Sequence, residues 1–186
     1  MNKTMEKREL WIVALSESIS KPGHYALILE DTLSKRRIPL VIGGSEAQAI
    51  AISMEKMQPS RPQTHDLFQQ TILRLNATLT HIIINRLEKE VFYANLVIKT
   101  STETFEMDAR PSDAIALAVR FSCPIYATSE VIENSAYDFD EKTRDKRGSY
   151  AEYTLEELEE LLSKIIKKED YESAARVRDA IEKRKK

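Results

Sequence analysis

The chain has a single cysteine, Cys123, so no disulfide can form within it, which fits a reducing, cytoplasmic setting. Long apolar runs are missing as well. A membrane-spanning helix of about 20 apolar residues is excluded, and the basic start MNKTMEKRELWIVAL lacks the apolar stretch of a cleaved signal. Neither sign of charge is in excess: 28 Lys and Arg stand against 30 Asp and Glu, a net charge of −2. Proteins that hold nucleic acid chiefly by neutralising phosphates are strongly basic, so any such binding here is local and weak, or assisted by metal ions. Gly43-Gly44 is not followed by the lysine and hydroxyl of a P-loop, nor by the third glycine of a dinucleotide fingerprint, and a tight turn is the simpler reading. His24 and His81 have no ligand spacing and Cys123 has no companion, which argues against zinc.

What is present is enough for a core. Hydrophobic residues make up 42% of 186, sufficient for one domain of ordinary size and an appendage. Leu10–Leu15, the alternating Tyr25–Glu30 and Ile38–Ile42 predict three strands, with Pro22-Gly23 as a break. A helix from Ser45 to Met57 follows, with Ser45 as N-cap, then a second from His65 to Asn76 capped by Thr64 and carrying Leu67, Phe68, Ile72 and Leu75. Thr80–Leu87 and Val91–Thr100 form a hairpin whose turn, Glu88-Lys89-Glu90, lacks glycine or asparagine. Thr102–Ala109 alternates as a third strand of that meander, and Pro124–Thr128 is a short last strand. The fold class is therefore α+β: a mixed or antiparallel sheet with packed helices.

The most informative stretch is Met107–Tyr126, MDARPSDAIALAVRFSCPIY. Its helix, Pro111–Ser122, is apolar on nearly every side and is expected to be buried. Asp108, Arg110, Asp113 and Arg120 then stand at the rim of a core, where charge must be paired or used.

Pro39-Leu40-Val41-Ile42-Gly43, Glu46-Ala47, Ala49-Ile50, Arg61-Pro62 with Thr64-His65-Asp66-Leu67, Phe92-Tyr93-Ala94 and Asp108 through Leu117 together resemble, in order and spacing, the bifunctional nuclease family. The resemblance implies an α+β domain that self-associates, as a homodimer or higher homo-oligomer, and hydrolyses DNA and RNA. That domain is placed at residues 8–134. Apolar content collapses from Asp138 to Glu152, and residues 135–153 read as a linker. Residues 154–186 resemble the UVR motif of bacterial excision-repair subunits and some protease adaptors, with Leu158, Leu161, Ile165, Asp170, Tyr171, Glu172, Ala174, Ala175, Arg178, Asp179 and Ile181 at matching positions and Tyr171 in place of the usual phenylalanine. The resemblance implies a helical hairpin that binds a protein partner. Leu158, Leu162, Tyr171, Ala175 and Arg178 are the expected contacts, since helices this short need cover for their apolar stripes.

Phosphodiester hydrolysis needs an activated water and neutralised phosphoryl oxygens, and divalent ions on carboxylates supply both. Glu46, Asp66, Asp108 and Asp113 lie near strand–helix or loop–helix junctions and are the candidate ligands for Mg²⁺ or Mn²⁺. Glu46, His65, Asp66 and Asp113 are the candidate catalytic set, with His65 as base, its ordinary pKa of about 6.5 suiting that role. Arg61 and Arg110 are the candidate phosphate ligands. A structural reading stands beside each: Asp66 and Asp113 in first helical turns complement the helix dipole, and Arg110 paired with either locks two helix starts together. A non-enzymatic dimeric adaptor docking a repair or proteolysis complex through the hairpin is the competing function. An anion sensor built on Arg61 and Arg110 is a third.

Overall fold

The computed structural model describes residues 6–18 and 22–137, and seven helical positions beyond them: Glu159, Leu162, Ser163, Ile166, Val177, Arg178 and Ile181. The chain divides into two compact units, Met1–Asp138 and Phe139–Lys186. The first unit is α+β. Its order is β1 (Lys7–Glu17), β2 (His24–Asp31), β3 (Arg37–Gly43), α1 (Gly44–Met54), α2 (Thr64–Arg74), β4 (Thr78–Glu88), β5 (Val91–Lys99), β6 (Thr104–Ala109), α3 (Pro111–Phe121), β7 (Ile125–Thr128) and α4 (Ser129–Ser135).

The strands form one seven-stranded sheet in the order β3-β2-β1-β7-β4-β5-β6. All neighbours are antiparallel except β7 and β4, which run parallel through Ile82–Ile125, Ile83–Tyr126 and Ile84–Ala127. Alternation sorts the strands between two faces. Leu27, Leu29, Ile38, Leu40, Ile82, Ile84, Leu96 and Ala127 turn to one side and bury there, in a single core with Ile50 of α1, Ile72 of α2, Ala114–Ala118 of α3 and Val131 and Ile132 of α4. Helix α3 is buried as its composition requires.

Several local expectations change. The N-cap of α1 is Gly43, not Ser45, whose hydroxyl donates to Glu46 instead of accepting a backbone N–H. The N-cap of α2 is Gln63, not Thr64, because Asp66 reaches back to accept the Gln63 N–H at 2.8 Å. Helix α4 was not expected; its start is signalled by the Thr128 hydroxyl, which accepts the Val131 N–H. The hairpin between β4 and β5 closes on Lys89 and Glu90, both with positive φ, 48° and 65°. That is the two-residue turn matching strand twist, built here without glycine.

In the second unit, Leu162 and Arg178 of the expected contact set are helical, and the Ser163 hydroxyl donates to the Glu159 carbonyl. Leu158, Tyr171 and Ala175, the hairpin's turn and most of the expected linker lie outside the described residues.

Candidate active site

Three elements meet at the site. Strand β3 runs into α1 at Gly43-Gly44, and Glu46 in the first turn folds its carboxylate back over Gly43. A Cβ at residue 43 would lie 2.5 Å from Glu46 Oε2, so the glycine makes room for that carboxylate. The helix start is thus occupied from within. The Glu46 carboxyl is held below its ordinary pKa by its own backbone N–H, then by the Ser45 hydroxyl at 3.0 Å, with Arg110 adding to both.

Strand β6 ends at Ala109, and Arg110 takes the N-cap position of α3, with Pro111 at N1 and Asp113 in the first turn. This three-residue spacing lets the guanidinium grip Asp113 with two N–H groups, Nε to Oδ2 at 2.8 Å and Nη2 to Oδ1 at 3.3 Å. Its Nη1 reaches Glu46 Oε1 at 3.1 Å. The two carboxylates raise the Arg110 pKa, Asp113 more strongly. His65, in the first turn of α2, places Nε2 3.1 Å from Asp113 Oδ1. An ionised carboxylate only accepts, so Nε2 is the donor in this contact, and in the neutral ring that tautomer leaves the lone pair on Nδ1.

The resulting chain Glu46–Arg110–Asp113–His65 lies along a pocket of about 700 Å³. Its other walls are apolar: Leu67 and Phe68 of α2, Leu96 of β5, Met107 of β6 and Leu117 of α3. Leu67, Phe68 and Met107 are 61%, 37% and 40% exposed, high values for residues of this kind. These walls were not foreseen as part of a site, and the signal was available: Thr64, Leu67, Phe68 and Thr71 follow helical spacing on one face of α2.

The remaining expected residues go elsewhere. Asp66, one position from His65, pairs with Arg120 Nε at 2.7 Å. Arg120 is 4% exposed and also donates from Nη1 to the carbonyls of Ala49 and Ala116, tying α1, α2 and α3 together. Burial alone would raise the Asp66 pKa, but Arg120 and the Gln63 N–H outweigh it and the value falls. Asp66 does lie in the first turn of α2, and its ion pair is with Arg120, not with Arg110. Asp108 borders the pocket, yet alternation on β6 turns its side chain to the face opposite Met107 and Ala109. Arg61 is exposed in the loop before α2 and is not part of the pocket lining.

A divalent ion needs several oxygen ligands around one point. Among the described residues no three His, Cys, Asp or Glu side chains gather to hold one. Glu46 and Asp113 do come together, but the Arg110 guanidinium stands between them. The expected set Glu46, Asp66, Asp108 and Asp113 does not fit Mg²⁺ or Mn²⁺ as arranged. The pairing expected of Arg110 with Asp113 is present.

Fold and site thus define an α+β domain with a pocket that joins a hydrogen-bonded His–Asp pair to an exposed guanidinium. Comparison with known proteins narrows the class: the bifunctional nuclease domain model matches residues 27–140. The chain belongs to the bifunctional nuclease domain family. An uncharacterized protein of Mycobacterium tuberculosis is 33% identical over 140 residues, covering 75% of this chain and 84% of that protein. Bifunctional nuclease 1 of Oryza sativa is 21% identical over 119 residues, 62% of this chain and 36% of the rice protein. A bifunctional nuclease of Oryza minuta matches to the same extent.

Proposed function

We propose that the pocket hydrolyses phosphodiester bonds of DNA or RNA, with His65 as general base, Asp113 as the group that orients it and Arg110 on the phosphate. The observation that carries this reading is the convergence of Arg110 and His65 on the two oxygens of one carboxylate at the mouth of one pocket. Three of the five guanidinium N–H groups of Arg110 are engaged by Asp113 and Glu46, leaving two for a phosphoryl oxygen. Its side chain is 67% exposed, so the phosphate reaches it from solvent.

In this scheme His65 Nδ1 takes a proton from water as the water oxygen bonds to phosphorus. Charge building on the phosphoryl oxygens is met by Arg110. The bond from phosphorus to the leaving oxygen then breaks, and the proton on His65 passes to that oxygen, giving a phosphate monoester and a free hydroxyl. No step is routed through a metal ion. With His65 neutral the three charged groups, Glu46, Arg110 and Asp113, sum to −1, so attraction for a polyanion is weak, matching the near-neutral chain.

The test is turnover of single- and double-stranded DNA and RNA by the purified full chain, with Mg²⁺, with Mn²⁺ and with a chelator. His65→Gln is expected to lower kcat by about 10² to 10⁴. Arg110→Lys keeps the charge but loses the fork, and is expected to lower kcat/KM by at least tenfold. Unchanged turnover in a folded His65→Gln variant overturns the assignment. The adaptor reading is favoured by one observation: both carboxylates of the site are already paired internally with Arg110. Self-association and a protein partner held by a UVR hairpin at 154–186 belong to both readings. Loss of a co-purifying partner on deleting those residues, in a chain that hydrolyses nothing, decides for the adaptor.

A further inference from the structure

We infer that the apolar half of the pocket receives an unstacked base, so that the substrate is a single strand and not a duplex. This rests on the phosphodiester reading of the same site and adds to it which part of the polymer is recognised.

Leu67 and Phe68 sit on a helix whose single buried residue is Ile72. The apolar side of α2 is therefore divided: Ile72 enters the core, while Leu67 and Phe68 line the pocket. Opposite it, Met107 on the edge strand β6 leaves its side chain 40% exposed on the same pocket. Exposed apolar surface of this kind beside charged groups marks a ligand with an apolar face and an anionic end. A nucleotide has both. His65 and Phe68 are three residues apart on one helix, roughly 4.5 Å along its axis at a rise of about 1.5 Å per residue. A base lying on Phe68 is thereby one turn from His65, with its phosphate at the Arg110 end.

The dimensions agree. A pocket of about 700 Å³ is of the size that encloses a small ligand. A base reaches such a pocket only when it is out of the helical stack, and unpaired bases do so without the cost of breaking a duplex. Stacking on aromatic and apolar side chains tolerates any base, as suits an enzyme acting on more than one nucleic acid.

The experiment uses the full chain and three fluorescein-labelled phosphorothioate DNA probes: a single-stranded 10-mer, a 10-mer of the same backbone with an abasic site at every position, and a hairpin duplex of the same sequence. Fluorescence anisotropy reads the affinities, and gel assays of the natural phosphodiester versions read cutting. The intact single strand is expected to bind about tenfold more tightly than either the abasic strand or the duplex. Phe68→Ala is expected to remove that tenfold advantage and leave abasic binding unchanged, while Phe68→Tyr keeps it. Equal binding of the intact and abasic strands, or an advantage that survives in Phe68→Ala, overturns the base pocket even if hydrolysis continues. Binding and cutting of none of the probes overturns the phosphodiester reading, and the base pocket with it. Displacement of the intact strand by an apolar peptide but not by nucleotides also counts against it.

Discussion

Arg120 shows what one buried cation does to a site it does not touch. It joins Asp66 to the backbones of α1 and α3, and Asp66 is the neighbour of His65. Arg120→Ala leaves the part-buried Asp66 without its cation and unties α2 from α1 and α3, and is expected to cost about 3–5 kcal/mol in urea denaturation. The same pair makes stability depend on pH. Asp66 and Glu46 have pKa values below their ordinary 3.8 and 4.5 in the folded chain, so protons favour the unfolded one. Their contribution is complete above those ordinary values and is lost as pH falls through the lowered ones. Asp66→Asn is expected to flatten the loss of stability below about pH 4 in a urea series. Cys123 gives an opposite case: burial raises its thiol from 9.0 to about 11. At pH 8 its alkylation by iodoacetamide is expected to be about 100-fold slower in the folded chain than in urea, since only the thiolate reacts.

Among elements, the turn between β4 and β5 is the most strained for its composition. Lys89 and Glu90 both hold positive φ, which costs a residue with a side chain about 1–2 kcal/mol. Glu90→Gly is expected to stabilise the domain by roughly 1 kcal/mol, read as a higher urea midpoint at unchanged slope. The hairpin itself was legible because alternation over β4 and β5 outweighs a poor turn. Alternation also made β6 legible, including the opposition of Met107 and Asp108, and helical periodicity gave α1, α2 and α3. Helix α4 escaped because its seven residues carry two apolar side chains, too few for a period to show. The site was half legible. The link between Arg110 and Asp113 follows from three-residue spacing at a helix start, whereas Arg120 and Asp66 are 54 positions apart and their pairing depends on how α2 crosses α3. Leu67 and Phe68 were legible as apolar residues of α2 but not as pocket walls, because periodicity reveals which face is apolar, not what covers it.

For the molecule as a whole, the sheet is two three-stranded meanders, β1–β3 and β4–β6, joined by four residues of β7. Ala127 is fully buried at that junction, between Arg8 on β1 and Ile84 on β4. Ala127→Asp puts an unpaired charge there and is expected to unfold both meanders together. Loss of Trp11 fluorescence change and of amide protection in β4–β5 at one urea concentration checks this; surviving protection in β4–β5 shows that the halves are independent. A ribosome delivers the pieces in an awkward sequence. The joining strand emerges after both meanders, so one border of β1 and one of β4 wait with unpaired peptide groups while the rest is made. Those borders invite the wrong neighbour during synthesis, and crowding of nascent chains, more than heat, is the hazard this topology carries.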